Sequence, residues 1–445
     1  MTTKKDDYKV GLNIPEDQGT GNGNGNGKEK QSFIKTIKSY GPGIVVVLTW
    51  MGAGDLVDAS VAGSHYGYSL MWVLALALII RFVIVNIMAR FELCNTENMT
   101  LLEAFSRLHK LYPYFFAFAA IIMGHLVNSY MIKGSGEVLA WIFNFGSPFM
   151  WSVFVVLISL FILGRNIYKK LELVMKILLA IMTAAFIGLA IYSQPDASEI
   201  VRGTIGFGLP EDTGAYGTLL VAMSLVGAVA GSLGNFLYGY FIKERGWIGP
   251  EHKKIQRNDL LFGICMGVVI NLAVWVVGAE ILKPNNIEVT SLNDIAMALE
   301  LHLGTIGSTI FYLGAFGVLY SSVIGHAIGF PKISISCIQI IKNGREDKYA
   351  VKSEKDPLFK WISLFILVTP LIWSLPNMPG FVSLVVFVNV LYVIALPAIS
   401  IGLLIISNKK AYLNNSTNNW MENIILAATT MLAIWSSIKL VIGFF

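Results

Sequence analysis

The chain has 445 residues, of which 55% are hydrophobic and only 14% charged, with a formal net charge of +5. Together with a mean hydropathy of +0.64, this excludes a soluble multidomain protein of that length and points to a polytopic membrane protein. The three cysteines, Cys94, Cys265 and Cys337, are widely separated, so they imply neither a disulfide framework nor a metal-thiolate site.

Residues 1–32 are polar and include the low-complexity tract Gly21-Asn22-Gly23-Asn24-Gly25-Asn26-Gly27. This composition cannot bury apolar surface and reads as a disordered cytoplasmic tail. No short apolar run with a small-residue cleavage site follows it, so it is not a signal peptide. Beyond it, apolar runs near 41–64, 69–91, 112–144, 149–165, 171–193, 215–243, 257–283, 303–340, 358–376, 379–407 and 420–444 match the roughly 20 residues that a helical span needs. Residues 33–410 then form a ten-helix core and residues 411–445 a peripheral eleventh helix.

Loop charges supply an independent test. Arg90, Arg107 and Lys110 follow the second run; Arg165, Lys169 and Lys170 the fourth; Lys253, Lys254 and Arg257 the sixth; Lys409 and Lys410 the tenth. The intervening loops carry Asp196, Glu199, Glu211, Asp212, Glu288 and Asp294. Positive loops mark the cytoplasmic side, which places the N-terminus inside and, after an odd number of spans, the C-terminus outside.

The first span contains Gly52-Ala53-Gly54-Asp55-Leu56-Val57-Asp58. A carboxylate at the bilayer centre costs about 2.5–3.5 kcal/mol on insertion scales, so two in one turn call for a compensating partner, most simply a bound cation. A second glycine-rich interruption, Gly227-Ala228-Val229-Ala230-Gly231-Ser232-Leu233-Gly234-Asn235, falls in the sixth span. Breaks in the first and sixth of ten helices are where two five-helix inverted repeats would face each other, with freed carbonyls available to a cation. The alternative is that these small residues only let helices pack closely.

Gly41-Pro42-Gly43 ahead of the first break, Leu70-Met71-Trp72-Val73-Leu74 in the second span, Gly227-Ala228 in the sixth, and Asn389 eight residues before Pro397 together resemble the NRAMP family of divalent-metal transporters. The resemblance covers nearly the whole chain beyond the tail and rests on order and spacing rather than on one motif. It implies an all-α, LeuT-like fold with 5+5 inverted repeats, broken helices 1 and 6, and an eleventh helix. The implied metal site comprises Asp55, Asp58, Gly52, Ala53, Ala230, Gly231, Asn235 and Asn389, with no catalytic residue and no cofactor.

The departures from the family carry as much information. Gly52-Ala53-Gly54-Asp55 stands where the family reads Asp-Pro-Gly-Asn, so one acid is lost and another gained, and Asp58 supplies a second on the same helix face. The sixth-helix Met-Pro-His-Asn corresponds to the stretch around Ala230–Gly234, which holds no methionine. Without a soft thioether, selection against hard ions weakens, and Gly227, Ala230 and Gly231 are expected to leave room for a largely hydrated Mg2+. Asn128 and Met131 fall where the family's third-helix proton-pathway acids are expected, and Tyr238 near a sixth-helix histidine. The pattern looks like the prokaryotic NRAMP-related magnesium transporters (NRMT). It implies uptake of Mg2+ and Mn2+ across the plasma membrane by a monomer, without proton coupling, with the lipid bilayer and metal ions as its partners and no nucleic acid.

Lys133 and Glu137 read as a structural ion pair, His65 and His125 as hydrogen-bonded packing residues, and Arg81 has no assigned role. Asn235 and Asn389 either hold ion-bound water or link helices. A proton-coupled Mn2+/Fe2+ importer of the ordinary family type is the main alternative. A carrier of small organic acids is disfavoured by the two carboxylates, and an enzyme by the lack of a nucleophile, metal triad or phosphate loop.

Overall fold

The computed structural model describes residues 53–163, 168–212, 215–344 and 353–444. The expected tail, the Gly41-Pro42-Gly43 opening and Gly52 lie outside them. All regular structure among the described residues is helical. In chain order the α-helices are α1 Ala53–Tyr66, α2 Met71–Cys94, α3 Leu101–Leu108, α4 Leu111–Phe143, α5 Pro148–Ile162, α6 Tyr168–Tyr192, α7 Ala197–Ile205, α8 Thr218–Val226 and α9 Leu237–Glu244. There follow α10 Lys253–Val277, α11 Leu292–Leu303, α12 Thr305–Lys342, α13 Pro357–Val368, α14 Phe381–Leu391, α15 Leu396–Ile406, α16 Lys410–Leu413 and α17 Trp420–Phe444.

Among the described residues, nine helical stretches are long and apolar enough to cross a membrane, and the 15-residue Pro148–Ile162 is a shorter apolar helix. With α1 as the described part of the first run, these coincide with the eleven apolar runs. The outward faces are apolar too. Ile424, Met431 and Ile438, seven residues apart on α17, are 57%, 67% and 53% exposed, a stripe that suits lipid rather than water. The chain is a multi-pass membrane protein.

Local sequence sets the helix ends. Thr100 caps α3 by accepting from the Glu103 amide, Ser147 caps α5 ahead of Pro148, and Ser291 with Asp294 closes a reciprocal capping box on α11, each satisfying amides that have no intrahelical partner. The short helices α3, α7 and α11 were not expected. They are too brief to span, and their amphipathic patterns are diluted by the apolar runs beside them.

Helix α4 packs along α12. At 38 residues, α12 is about 57 Å long at 1.5 Å per residue, well beyond the roughly 30 Å hydrocarbon core. Helices α1 and α10 meet backbone to backbone: a Cβ on Gly63 would lie 2.5 Å from the Trp275 carbonyl oxygen, and one on Gly278 3.1 Å from the Gly63 Cα. Small residues permit that approach, and the Trp275 indole Nε1 donates to the Gly67 carbonyl at 2.8 Å. The final helix α17 is tied to α2 by a buried fork, in which Arg90 donates to Glu422 at 2.8 and 3.0 Å.

The sixth span is interrupted as expected. Helix α8 widens into a π-turn over Gly227–Gly231, Ser232 leaves helical geometry at φ −56°, ψ 124°, and a 3-10 turn over Leu233–Phe236 leads into α9. The tenth span bends as well, with a 3-10 turn over Tyr392–Ile394 ahead of Pro397.

Candidate metal centre

Asp55 and Asp58 lie one turn apart near the start of α1, 5% and 1% exposed. Their environments differ. Asp58 is held between two helices: Ser224 Oγ on α8 donates to its Oδ1 at 2.7 Å, and Asn389 Nδ2 on α14 donates to its Oδ2 at 2.9 Å. Asp55 instead faces a small cavity of about 40 Å³, lined also by Gly54, Ala228, Ser232, Asn389 and Tyr392. A water needs roughly 10–15 Å³ by this measure, so the space holds about three.

That volume corrects the expectation of a roomy pocket. Gly227, Ala230 and Gly231 are absent from the lining. At the two glycines, the backbone of the tenth span fills the space that a missing side chain leaves. A Cβ on Gly227 would overlap the Asn389 carbonyl oxygen, and one on Gly231 would lie 2.7 Å from that of Tyr392. For these glycines close packing is the operative role, and an ion in this space would keep only part of its hydration shell.

Asn235 is also reassigned. It is 1% exposed, and its Nδ2 donates to the Ala230 carbonyl at 3.1 Å, so it braces the break rather than facing the cavity. Asn389 lines the cavity and grips Asp58. Gly52 is outside the described residues, and Ala53 opens α1.

Three contributors were not assigned to the site from the sequence. Met131 on α4 and His326 on α12 line the same cavity, and the His326 Nδ1 is buried with no hydrogen-bond partner among the described residues. A thioether is therefore present, supplied by the third span instead of the sixth. The third is Arg81 on α2, 3% exposed. Its Nη1 lies 3.5 Å from Asp55 Oδ2, its Nη2 donates to the Ala228 carbonyl at 2.9 Å, and its Nε donates to the Val229 carbonyl.

No cluster of three or more His, Cys, Asp or Glu side chains occurs among the described residues. An ion beside Asp55 would complete its shell with carbonyls, amide, thioether or water, a donor set compatible with Mg2+ and Mn2+. Beyond the cavity lining, Tyr66 Oη donates to the Tyr216 carbonyl, and the Tyr216 hydroxyl lies 3.0 Å from Ser383 Oγ. The lining itself extends to Leu237 and Phe330.

The remaining polar residues resolve individually. Asn128 donates to the Val323 and Ile366 carbonyls at 3.3 and 3.1 Å, linking α4 to α12 and α13. Tyr238 donates to the Gln256 carbonyl and to Asp259 Oδ2, each at 3.2 Å. Lys133 donates to the Trp373 carbonyl at 3.2 Å, and no ion pair joins it to Glu137 among the described residues, which corrects that expectation. His125 accepts from Trp373 Nε1 at 3.0 Å, so its Nδ1 carries the proton shared with Thr369 Oγ1 at 2.7 Å, a neutral packing tautomer. His65 differs from expectation. Both its nitrogens are buried without a hydrogen-bond partner among the described residues, and its ring stacks on Tyr216 at 6.1 Å.

Comparison with known proteins places this geometry. The family model for natural resistance-associated macrophage protein-like proteins matches residues 43–443. The chain is 26% identical over 305 residues to the natural resistance-associated macrophage protein 2 homolog of Dictyostelium discoideum, covering 65% of this chain and 47% of that protein. It is 24% identical over 299 residues to the divalent metal cation transporter MntH of Bacillus subtilis, covering 65% and 68%. The chain thus spans about half the length of the Dictyostelium relative. Among solved structures, the Eremococcus coleocola manganese transporter in complex with an aromatic bis-isothiourea substituted compound superposes with a TM-score of 0.69 at 18% identity, over 92% of this chain and 87% of that one. MhsT in complex with L-phenylalanine gives 0.57 at 15% identity, over 91% and 98%. The fold is LeuT-like.

Proposed function

Because the chain belongs to the natural resistance-associated macrophage protein-like family, we propose that it is a transporter of divalent metal ions that moves them by alternating access around Asp55. The observation that carries this is the convergence of the Asp55 carboxylate, the sixth-span break and the Asn389 amide on one buried cavity. A carboxylate at membrane depth, beside unwound backbone, is the arrangement expected of a cation pathway.

Its cargo is Mg2+, with Mn2+ as a second substrate, as in the NRAMP-related magnesium transporters. The absence of a methionine from the sixth-span break around Ala230–Gly234 supports Mg2+, since carboxylate, carbonyl and water suit hard ions. Met131 in the cavity lining favours a second reading in which Mn2+ is the preferred ion, bound with fewer waters. Transport runs without proton coupling. Asn128 has no titratable group to offer, and its amide is already committed to two carbonyls. The basic loops support an N-terminus in the cytoplasm, a C-terminus outside and residence in the plasma membrane, and the chain acts as a monomer and not as an enzyme.

Uptake of Mg2+, Mn2+ and Ca2+ into proteoliposomes, with the internal pH recorded simultaneously, tests substrate and coupling together. Mg2+ and Mn2+ should enter without acidifying the lumen. Metal-dependent proton influx would overturn the uncoupled reading, and the His326 imidazole would then be the first carrier to test. Absence of any divalent flux would overturn the transport reading.

A further inference from the structure

Two carboxylates on one helix face and a run of break carbonyls make a strongly negative centre, yet a cation is already inside it. Arg81 reaches in from α2, 3% exposed, with its guanidinium against Asp55 Oδ2 at 3.5 Å and the Ala228 carbonyl at 2.9 Å, and with Nε on the Val229 carbonyl. One carboxylate and two carbonyls are oxygen donors of the same types that a divalent ion would use. Asp58 is compensated differently, by neutral donors from Ser224 and Asn389, so among the described residues the guanidinium is the positive group directly paired with the centre.

We infer that Arg81 is a tethered internal cation that occupies the Asp55 end of the site when cargo is absent and is displaced when a divalent ion binds. The inference rests on the transport reading above and adds a regulation of that site. A guanidinium and a divalent ion sharing one carboxylate repel each other, so cargo binds only in the fraction of molecules where Arg81 has withdrawn, and its apparent affinity is reduced by that fraction. The arrangement also governs the return step. An empty carrier whose buried carboxylate lacks any counter-charge would have to carry an unpaired charge through the occluded state. With Arg81 in place the empty carrier stays compensated, so it can return unloaded and give net flux rather than obligatory exchange.

The test uses purified full-length protein with Mn2+ as the probe. Binding is measured by calorimetry, and transport in proteoliposomes is measured both into metal-free lumen and as Mn2+/Mn2+ exchange. Wild type should show similar rates in the two transport modes. Arg81→Gln should bind Mn2+ about tenfold tighter and lose most net uptake while retaining exchange. Unchanged or weaker binding, or an equal loss of both modes, would overturn the inference. If Arg81→Gln does not yield folded protein, Arg81→Lys decides. An ammonium lacks the planar fork that spans carboxylate and two carbonyls, so Mn2+ should bind about threefold tighter, and unchanged affinity would overturn the inference. A wild type with neither binding nor flux overturns the transport reading itself, whereas a transporting wild type matched by Arg81→Gln in affinity and mode overturns only the role of Arg81.

Discussion

Replacing Asp58 separates its structural duty from its electrostatic one. The carboxylate accepts from Ser224 Oγ at 2.7 Å and from Asn389 Nδ2 at 2.9 Å, and all three residues are at most 1% exposed. Asp58→Ala removes the protein acceptor of both buried donors. Each unsatisfied donor costs about 1–3 kcal/mol, so the variant should be about 2–6 kcal/mol less stable than wild type. Asp58→Asn keeps the acceptor for Ser224, and a half-turn of the Asn389 amide lets its oxygen accept from the new side chain, so both bonds survive with the charge removed. Thermal unfolding in detergent should therefore rank wild type and Asp58→Asn together and well above Asp58→Ala, while Mn2+ uptake falls strongly in both variants. Equal stability of the two variants would refute the view that Asp58 pins α8 to α14.

Met131 and the break glycines can be tested in the same system. Met131→Ala removes the one thioether in the cavity lining among the described residues and should lower Cd2+ and Mn2+ uptake more than Mg2+ uptake, whereas a proportional loss for all three ions would show that sulfur does not touch the cargo. Gly227→Ala puts a methyl group into the Asn389 carbonyl, so folded yield should collapse; a well-folded variant with normal uptake would mean that α8 and α14 approach less closely than described.

Much of the architecture was legible because membrane insertion imposes crude, strong rules. Apolar runs and loop charges located the spans, and the cost of burying Asp55 and Asp58 identified them as functional candidates before any geometry was known. Asn389 stood out for the same reason. What could not be read was rotational placement. Helix α4 is buried on most of its circumference, so no apolar stripe in the sequence reports that Met131 faces the cavity. His326 and Arg81 are similarly determined by tertiary packing, and nothing local to Arg81 reveals that its partners are the Ala228 and Val229 carbonyls nearly 150 positions along the chain. The glycines of the sixth span misled because a missing side chain can leave room for an ion or for a neighbouring backbone, and composition does not distinguish the two.

The crossing of Gly63 over Gly278 has a mechanical consequence. With no side chain between the backbones and Trp275 anchored to the Gly67 carbonyl just beyond, α1 is held closely against α10 and the π-turn after it around Gly63, a natural fulcrum for a lever. Eight residues separate that point from Asp55, an arm of about 12 Å at 1.5 Å per residue. A tilt of roughly 10° about the fulcrum would carry the carboxylate about 2 Å. That distance is comparable to a metal–oxygen bond, so a modest rocking of one short helix is enough to make or break coordination at its far end.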